Sequence, residues 1–241
     1  MSSLLPAALL IVCIPCGYSQ SPSQDQSMEQ LTVEQLLQRM TDTNGTRTAA
    51  LRSYTCLRRY ALRNQRFHTT AEMTVRMTYL NPGQRRFDVL SEHGSSFIRR
   101  RVLRRMIESE QEANQDGIRS HTQITPDNYT FQLLGTDVER GRPSYVLSVA
   151  PKTGNKFLLR GRIWVDAGDL AIIRIEGSPA QNPSRWISKT TVTHSYGKFG
   201  PFWLPVSNRS DTDVLIFGRT ETTIDYWDYQ INRSEQDANE R

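Results

Sequence analysis

"AEMTVRMTY", residues 71–79, alternates between apolar and polar side chains. Ala71, Met73, Val75, Met77 and Tyr79 fall on one side of a two-residue repeat, and Glu72, Thr74, Arg76 and Thr78 on the other. That is the period of a β-strand with one dry face and one wet face. The same grammar spreads outward. Asn81-Pro82-Gly83 is a turn, after which Phe87 and Val89 resume the apolar side. Upstream, the two-residue period begins near Leu51. Downstream, "NYTFQLLGTDVERGRPSYVLSVAPK" and "FLLRGRIWVDAGDLAIIRIEG" each read as two alternating runs joined by a short turn, at Asp137 to Arg142 and at Asp166-Ala167-Gly168-Asp169. The stretch from Trp186 to Gln230 supplies three more strands.

Two helices interrupt this pattern. "LTVEQLLQRMTDTNG" has Thr32 and Gln35 at capping-box spacing, with Leu31, Leu36, Leu37 and Met40 on one face, and is expected to end at Asn44-Gly45. The second spans about Ser95 to Gln115 and packs five arginines into the seven positions from Arg99 to Arg105. On a helical wheel Ile98, Val102, Leu103, Met106 and Ile107 form one half. Arg100, Arg101, Arg104 and Arg105 form the other, beside Glu108 and Glu112, and Arg99 falls toward the apolar side. Spacings such as Arg104 to Glu108 suit a solvated face stapled by ion pairs, worth a few tenths of a kcal/mol each. The order of charges does not suit it, because cations crowd the N-terminal half and acids the C-terminal half, against the helix dipole. The basic face is therefore a candidate for anionic head groups, of a lipid cargo or of a membrane surface.

With about 9–11 antiparallel strands and no alternating βαβ units, the fold class is α+β. A sheet that wide must curl, split or close. Methionines and aromatics at alternate positions, among them Met73, Met77, Phe87, Phe131, Leu133, Tyr145, Leu147 and Trp164, are expected inside.

Composition narrows the function. The 241 residues carry a formal net charge of +5, and the basic side is nearly all arginine, with lysine only at 152, 156, 189 and 198. The apolar run from Leu4 to Pro15, followed by Gly17 and Ser19, reads as a cleavable signal peptide over 1–19. A lipid anchor on Cys13 or Cys16 competes with that reading, although Val12 and Pro15 stand where a small residue is expected. Residues 20–30 read as a flexible leader, 31–231 as one domain and 232–241 as a polar tail. Export leaves one thiol, Cys56, hence no intramolecular disulfide, and makes nucleic acid an unexpected partner. The sequons at Asn44, Asn128, Asn208 and Asn232 would matter only in a eukaryotic secretory route.

No HExxH, GxSxG or Gly-rich phosphate loop occurs, and His68, His93, His121 and His194 are scattered. No catalytic residue, metal or cofactor is expected.

"YLNPGQRRFDVLSEHG", "IWVDAGDLAIIRIEG" (Trp164, Asp166, Asp169, Arg174, Glu176) and "YGKFGPFWLP" resemble, in that order, the LolA-like outer-membrane lipoprotein-sorting proteins and their RseB/MucB relatives over roughly residues 50 to 229. The resemblance implies a strongly curved sheet, a half-open β-barrel, with the two helices packed in or over its concavity, where acyl chains of lipids or lipoproteins are sheltered across the periplasm. It implies a periplasmic, non-enzymatic carrier, a monomer, whose partners are acyl chains and a membrane surface or envelope protein. Candidate lining residues are Met73, Val75, Met77, Phe87, Val89, Phe131, Leu133 and Trp164, chosen by alternation. Two departures stand out. Asn81 occupies the position before the turn proline where the family's carrier has an arginine tied to handing on cargo, and the arginine-rich helix replaces a short connection. They turn attention to the runner-up, a sensor module in the manner of the RseB/MucB relatives.

Overall fold

The computed structural model describes residues 31–114, 116–182, 187–216 and 218–232. The signal peptide, the leader and all but Asn232 of the tail lie outside the described residues.

Helix α1 (Val33–Ala50) opens with the expected capping box: the Gln35 amide donates to Thr32 Oγ1 at 3.2 Å and the Thr32 amide to Gln35 Oε1 at 3.0 Å. It runs straight through Asn44-Gly45 instead of ending there. Tertiary contacts overrule the local stop signal. Asn81 Nδ2 donates to the Thr48 and Leu51 carbonyls and Asn232 Nδ2 to the Ala50 carbonyl, so the final turn's orphan acceptors are met from outside the helix.

Ten strands follow: β1 (Ser53–Asn64), β2 (Thr69–Leu80), β3 (Gln84–Gly94), β4 (Tyr129–Glu139), β5 (Arg142–Pro151), β6 (Leu159–Asp166), β7 (Ile172–Pro179), β8 (Ile187–Phe199), β9 (Phe202–Val214) and β10 (Gly218–Ile231). Their spatial order is β3-β2-β1-β10-β9-β8-β7-β6-β5-β4, every neighbouring pair antiparallel, in an open sheet with β3 and β4 as its edges.

Between β3 and β4 the chain crosses from one edge to the other through α2 (Ser96–Ile98), a π-helical turn (Arg99–Leu103), α3 (Arg104–Ala113) and α4 (Asp116–Thr122). The single amphipathic helix read from the sequence is thus interrupted by a π turn at the arginine run, and α4 was not foreseen. At the entrance, Gly94 has φ +77 and a Cβ there would collide with the Thr70 carbonyl, so only glycine can turn β3 into α2.

Directly paired residues share a face, so the register traces one row across all ten strands: Leu133, Leu147, Ile163, Ile175, His194, Asn208, Ile224, Tyr60, Met73 and Glu92. Both covers pack on this face. α1 sets Leu36 and Met40 against Leu147, Ile163 and Ile175. The 96–113 segment sets Leu103 and Ile107 against Tyr60, Met73 and Ile224. A third cluster, Tyr54, Cys56, Met77, Tyr79, Phe202 and Leu204, fills the end nearest the start of β1.

Candidate functional site

The covers rest on the flanks of the row, and its centre, where β8 faces β9, is polar: His194 pairs with Asn208, both half-buried. Burial drives the His194 imidazole down to about 4. It is therefore neutral at physiological pH.

Beside this strip lies the most unusual feature of the interior. Alternation along "SYTCLRRYALRN" places Arg58 on the dry face between Cys56 and Tyr60, and Arg58 is 2% exposed. A buried guanidinium needs a counter-charge. α3 supplies it: Arg58 Nη1 donates to Glu110 Oε2 at 2.8 Å and to the Tyr60 hydroxyl at 3.3 Å, while Arg85 of β3 bonds the other Glu110 oxygen. The Arg58 guanidinium also lies 4.8 Å from the Tyr226 ring and 5.4 Å from the Phe87 ring. Burial alone would lower its pKa, but the Glu110 carboxylate and the flanking tyrosines outweigh it and the pKa rises. Burial also raises the hydroxyls of Tyr54, Tyr226 and Tyr229, and pushes Tyr60 and Tyr196 up to about 12. The Nε atoms of Arg58 and Arg85 remain buried with no hydrogen-bond partner. Polar capacity is left over inside the closed structure.

The rest of the 96–113 segment is also fastened by charge. Glu92, at the β3 end of the row, accepts from Arg99 at 2.8 Å and from Arg104 at 3.0 Å, and Glu112 binds Lys156 at 3.1 Å. The expected Arg104 to Glu108 staple is replaced by Arg104 to Glu92, leaving Glu108 to Arg105 at 3.5 Å. Arg100 and Arg101 are exposed and form no ion pair among the described residues.

The lining candidates divide. Met73, Val75 and Met77 are fully buried, and Phe87 packs against the two clusters that hold them. Phe131 and Leu133 flank the α1 cluster on edge strand β4. Val89 pairs with Val75 and shares its face but is left open, and Trp164 lies on the other face. Val89 is 42% exposed on the outermost strand. Trp164, adjacent to inward-facing Ile163, points to the opposite face, between the Arg162 and Arg174 guanidiniums, with its Nε1 donating to Asp137 at 2.9 Å. The other residues of that motif are likewise structural. Asp166 is gripped by Arg142 Nε at 2.5 Å and Nη2 at 3.0 Å, and Asp169 by Lys198 at 2.7 Å and Trp203 Nε1 at 3.0 Å. The Asp169 carbonyl accepts from Arg47 and so holds the end of α1.

Cys56 is buried and burial raises its thiol pKa, which makes it a poor nucleophile. Among the described residues no group of three or more His, Cys, Asp or Glu is placed to hold a metal ion, and no helix is long and apolar enough to cross a membrane.

Reasoning from the sequence missed Arg58 and Glu110. The signal was present for one of them, since an arginine in register with Tyr54, Cys56, Tyr60 and Leu62 must enter the core.

No family model matches the sequence, and no curated protein matches it. Solved structures do. The neighbours include LolA-superfamily proteins. A domain described as an outer membrane lipoprotein-sorting protein from Vibrio parahaemolyticus aligns at 13% identity and a TM-score of 0.41, covering 84% of this chain and 97% of that one. A DUF1329 family protein from Desulfovibrio piger aligns at 13% identity and 0.45, covering 84% and 95%. The LolA superfamily protein from Nitrosomonas europaea aligns at 11% identity and 0.38, covering 85% and 97%.

Proposed function

We propose that the protein is a non-enzymatic carrier of the bacterial envelope, exported to the periplasm, that shelters the acyl chains of a lipid or lipoprotein on the inner face of its sheet. The observation that carries this reading is the construction of the 96–113 cover. It closes an apolar floor of Tyr60, Met73 and Val75 with its own Leu103 and Ile107, yet it adds to that seam a buried ion pair between Arg58 and Glu110. A cover that only completed a core would gain more from hydrophobic side chains at those positions, because a buried pair seldom repays its desolvation.

Lifting the cover would expose the floor to acyl chains at about 0.8 kcal/mol per methylene buried. It would also free Arg58 and Arg85, whose unsatisfied Nε–H groups then suit a head-group phosphate or carboxylate in place of Glu110. Arg100, Arg101, Arg104 and Arg105 would approach the donor or acceptor membrane. Transfer toward the outer membrane belongs to the same reading.

The test is to produce the protein in a bacterial periplasm, purify it without detergent, and combine native mass spectrometry with organic extraction. Co-purifying lipid or acyl peptide is the expected result. A clean apo mass, unchanged after incubation with phospholipid and lipopeptide, would overturn the carrier and leave the sensor that binds a membrane-protein partner.

A further inference from the structure

One end of the sheet collects exposed apolar side chains. The β1–β2 tip holds Phe67, 54% exposed, and the β9–β10 tip holds Leu215 and Ile216, 63% and 54% exposed. These tips are neighbours because β1 pairs with β10, where Asn64 faces Thr220. They are also fastened together: Arg66 Nη1 donates to the Ile216 carbonyl at 2.8 Å and the Gln65 amide to the Arg219 carbonyl at 3.0 Å. The Phe67 amide is held by Asn64 Oδ1 at 2.9 Å.

The same end receives the start of the cover, since the Ser95 amide bonds the Thr70 carbonyl at 3.1 Å, and it brings Phe97, 61% exposed. Close to these side chains along the chain are Arg63, Arg66, Arg100 and Arg101, all exposed, with no ion pair to a carboxylate among the described residues, and Arg66 lies 5.7 Å from the Phe67 ring. Acidic residues stand at this end too and are partly neutralised: Arg219 binds Asp211 at 3.2 Å and Arg209 binds Glu221 at 2.6 Å, leaving Asp213 and, beside Arg63, Glu72.

Braced tips that hold large apolar groups in water, with cations close to them, match the two halves of a lipid interface, acyl boundary and anionic head groups. We propose that this end docks on an anionic bilayer, with Phe67, Phe97, Leu215 and Ile216 entering the head-group and acyl boundary and Arg63, Arg66, Arg100 and Arg101 meeting the lipid phosphates. Orientation follows: the start of the cover lies at the membrane, and the Glu110 latch away from it. Docking deepens the membrane approach of Arg100 and Arg101 in the proposed function, and it is separable from cargo binding because none of these side chains belongs to the floor.

The test uses vesicles of phosphatidylethanolamine and phosphatidylglycerol against vesicles of phosphatidylcholine alone. In a Phe67→Trp variant, tryptophan emission at the tip should change on adding the anionic vesicles, relative to the wild type, and the added signal should be quenched by brominated lipid. Co-sedimentation of the otherwise wild-type protein should weaken about tenfold or more in Leu215→Ser/Ile216→Ser and about tenfold in Arg100→Glu/Arg101→Glu. Both variants should keep the parent melting temperature, because the changed side chains are exposed, and should retain any extractable cargo. Undiminished vesicle binding by both variants, or an F67W signal that ignores the vesicles, would overturn docking. So would a dimer abolished by L215S/I216S without vesicle binding, which would make the patch an interface between two copies.

Discussion

Helix α1 and the 96–113 segment lie on the same face of one sheet, each with two well-buried side chains on it, Leu36 and Met40 or Leu103 and Ile107. Their fastenings differ. α1 is held through backbone groups: its capping box, the side-chain amides of Asn81 and Asn232 on its last carbonyls, and Arg47 on the Asp169 carbonyl. The 96–113 segment is held through ionised side chains, Glu110 to Arg58 and Arg85, Glu92 to Arg99 and Arg104, and Glu112 to Lys156. Apart from Arg47 and the capping box, the α1 bonds are neutral amides on peptide carbonyls, whereas a carboxylate on a guanidinium can be exchanged for another anion. Under the proposed function, the first cover stays and the second is the one displaced.

Substitutions can break that contrast. Glu110→Gln should have the largest effect, a loss of about 3 kcal/mol in urea denaturation, because it strands a fully buried guanidinium. If it costs no more than a surface change, the latch is not what closes the cover. The double variant Arg58→Met/Glu110→Leu should recover most of that stability while slowing release of a fluorescent fatty acid, since the cover then has only an apolar seam.

Acid acts on the polar strip between the covers. His194 is held near 4 when folded, so below its ordinary value near 6.5 the unfolded chain takes up a proton that the native one refuses. Stability should therefore fall as pH drops from about 6.5 toward 4, with a slope up to about 1.4 kcal/mol per pH unit from this group, and His194→Gln should flatten that stretch of the curve.

Asn81→Ala should cost about 1 kcal/mol and speed amide exchange at the end of α1 without changing exchange in α3. Smallest is Arg105→Ala, whose exposed pairing with Glu108 predicts a melting temperature within error of the parent.

The period-two pattern of residues 71–79 made the dry face of β2 legible, and the strand count near ten followed from turn chemistry at Asn81-Pro82-Gly83 and Asp166 to Asp169. What escaped is non-local. α1 outlasts Asn44-Gly45 because acceptors at its end are met by residues 81 and 232, which no window around Gly45 contains. Trp164 looked interior because it is large and apolar, but its cover is two arginines on the outer face, one of them contributed by the next strand. The latch joins positions 58 and 110, 52 apart, and alternation can flag only the strand partner.

The sheet order also bears on how the molecule is assembled. β1 to β3 and β4 to β10 are two meanders of hairpins between chain neighbours, and they meet along a single line, β1 against β10. That line joins residues such as Asn64 and Thr220, 156 positions apart, so its closure carries the entropic cost of the whole intervening chain. Each meander can form early from local pairs, and the suture between them is the step expected to limit folding. Pulse-labelled hydrogen exchange should find amides of β5, β6 and β7 protected before those that β1 and β10 share.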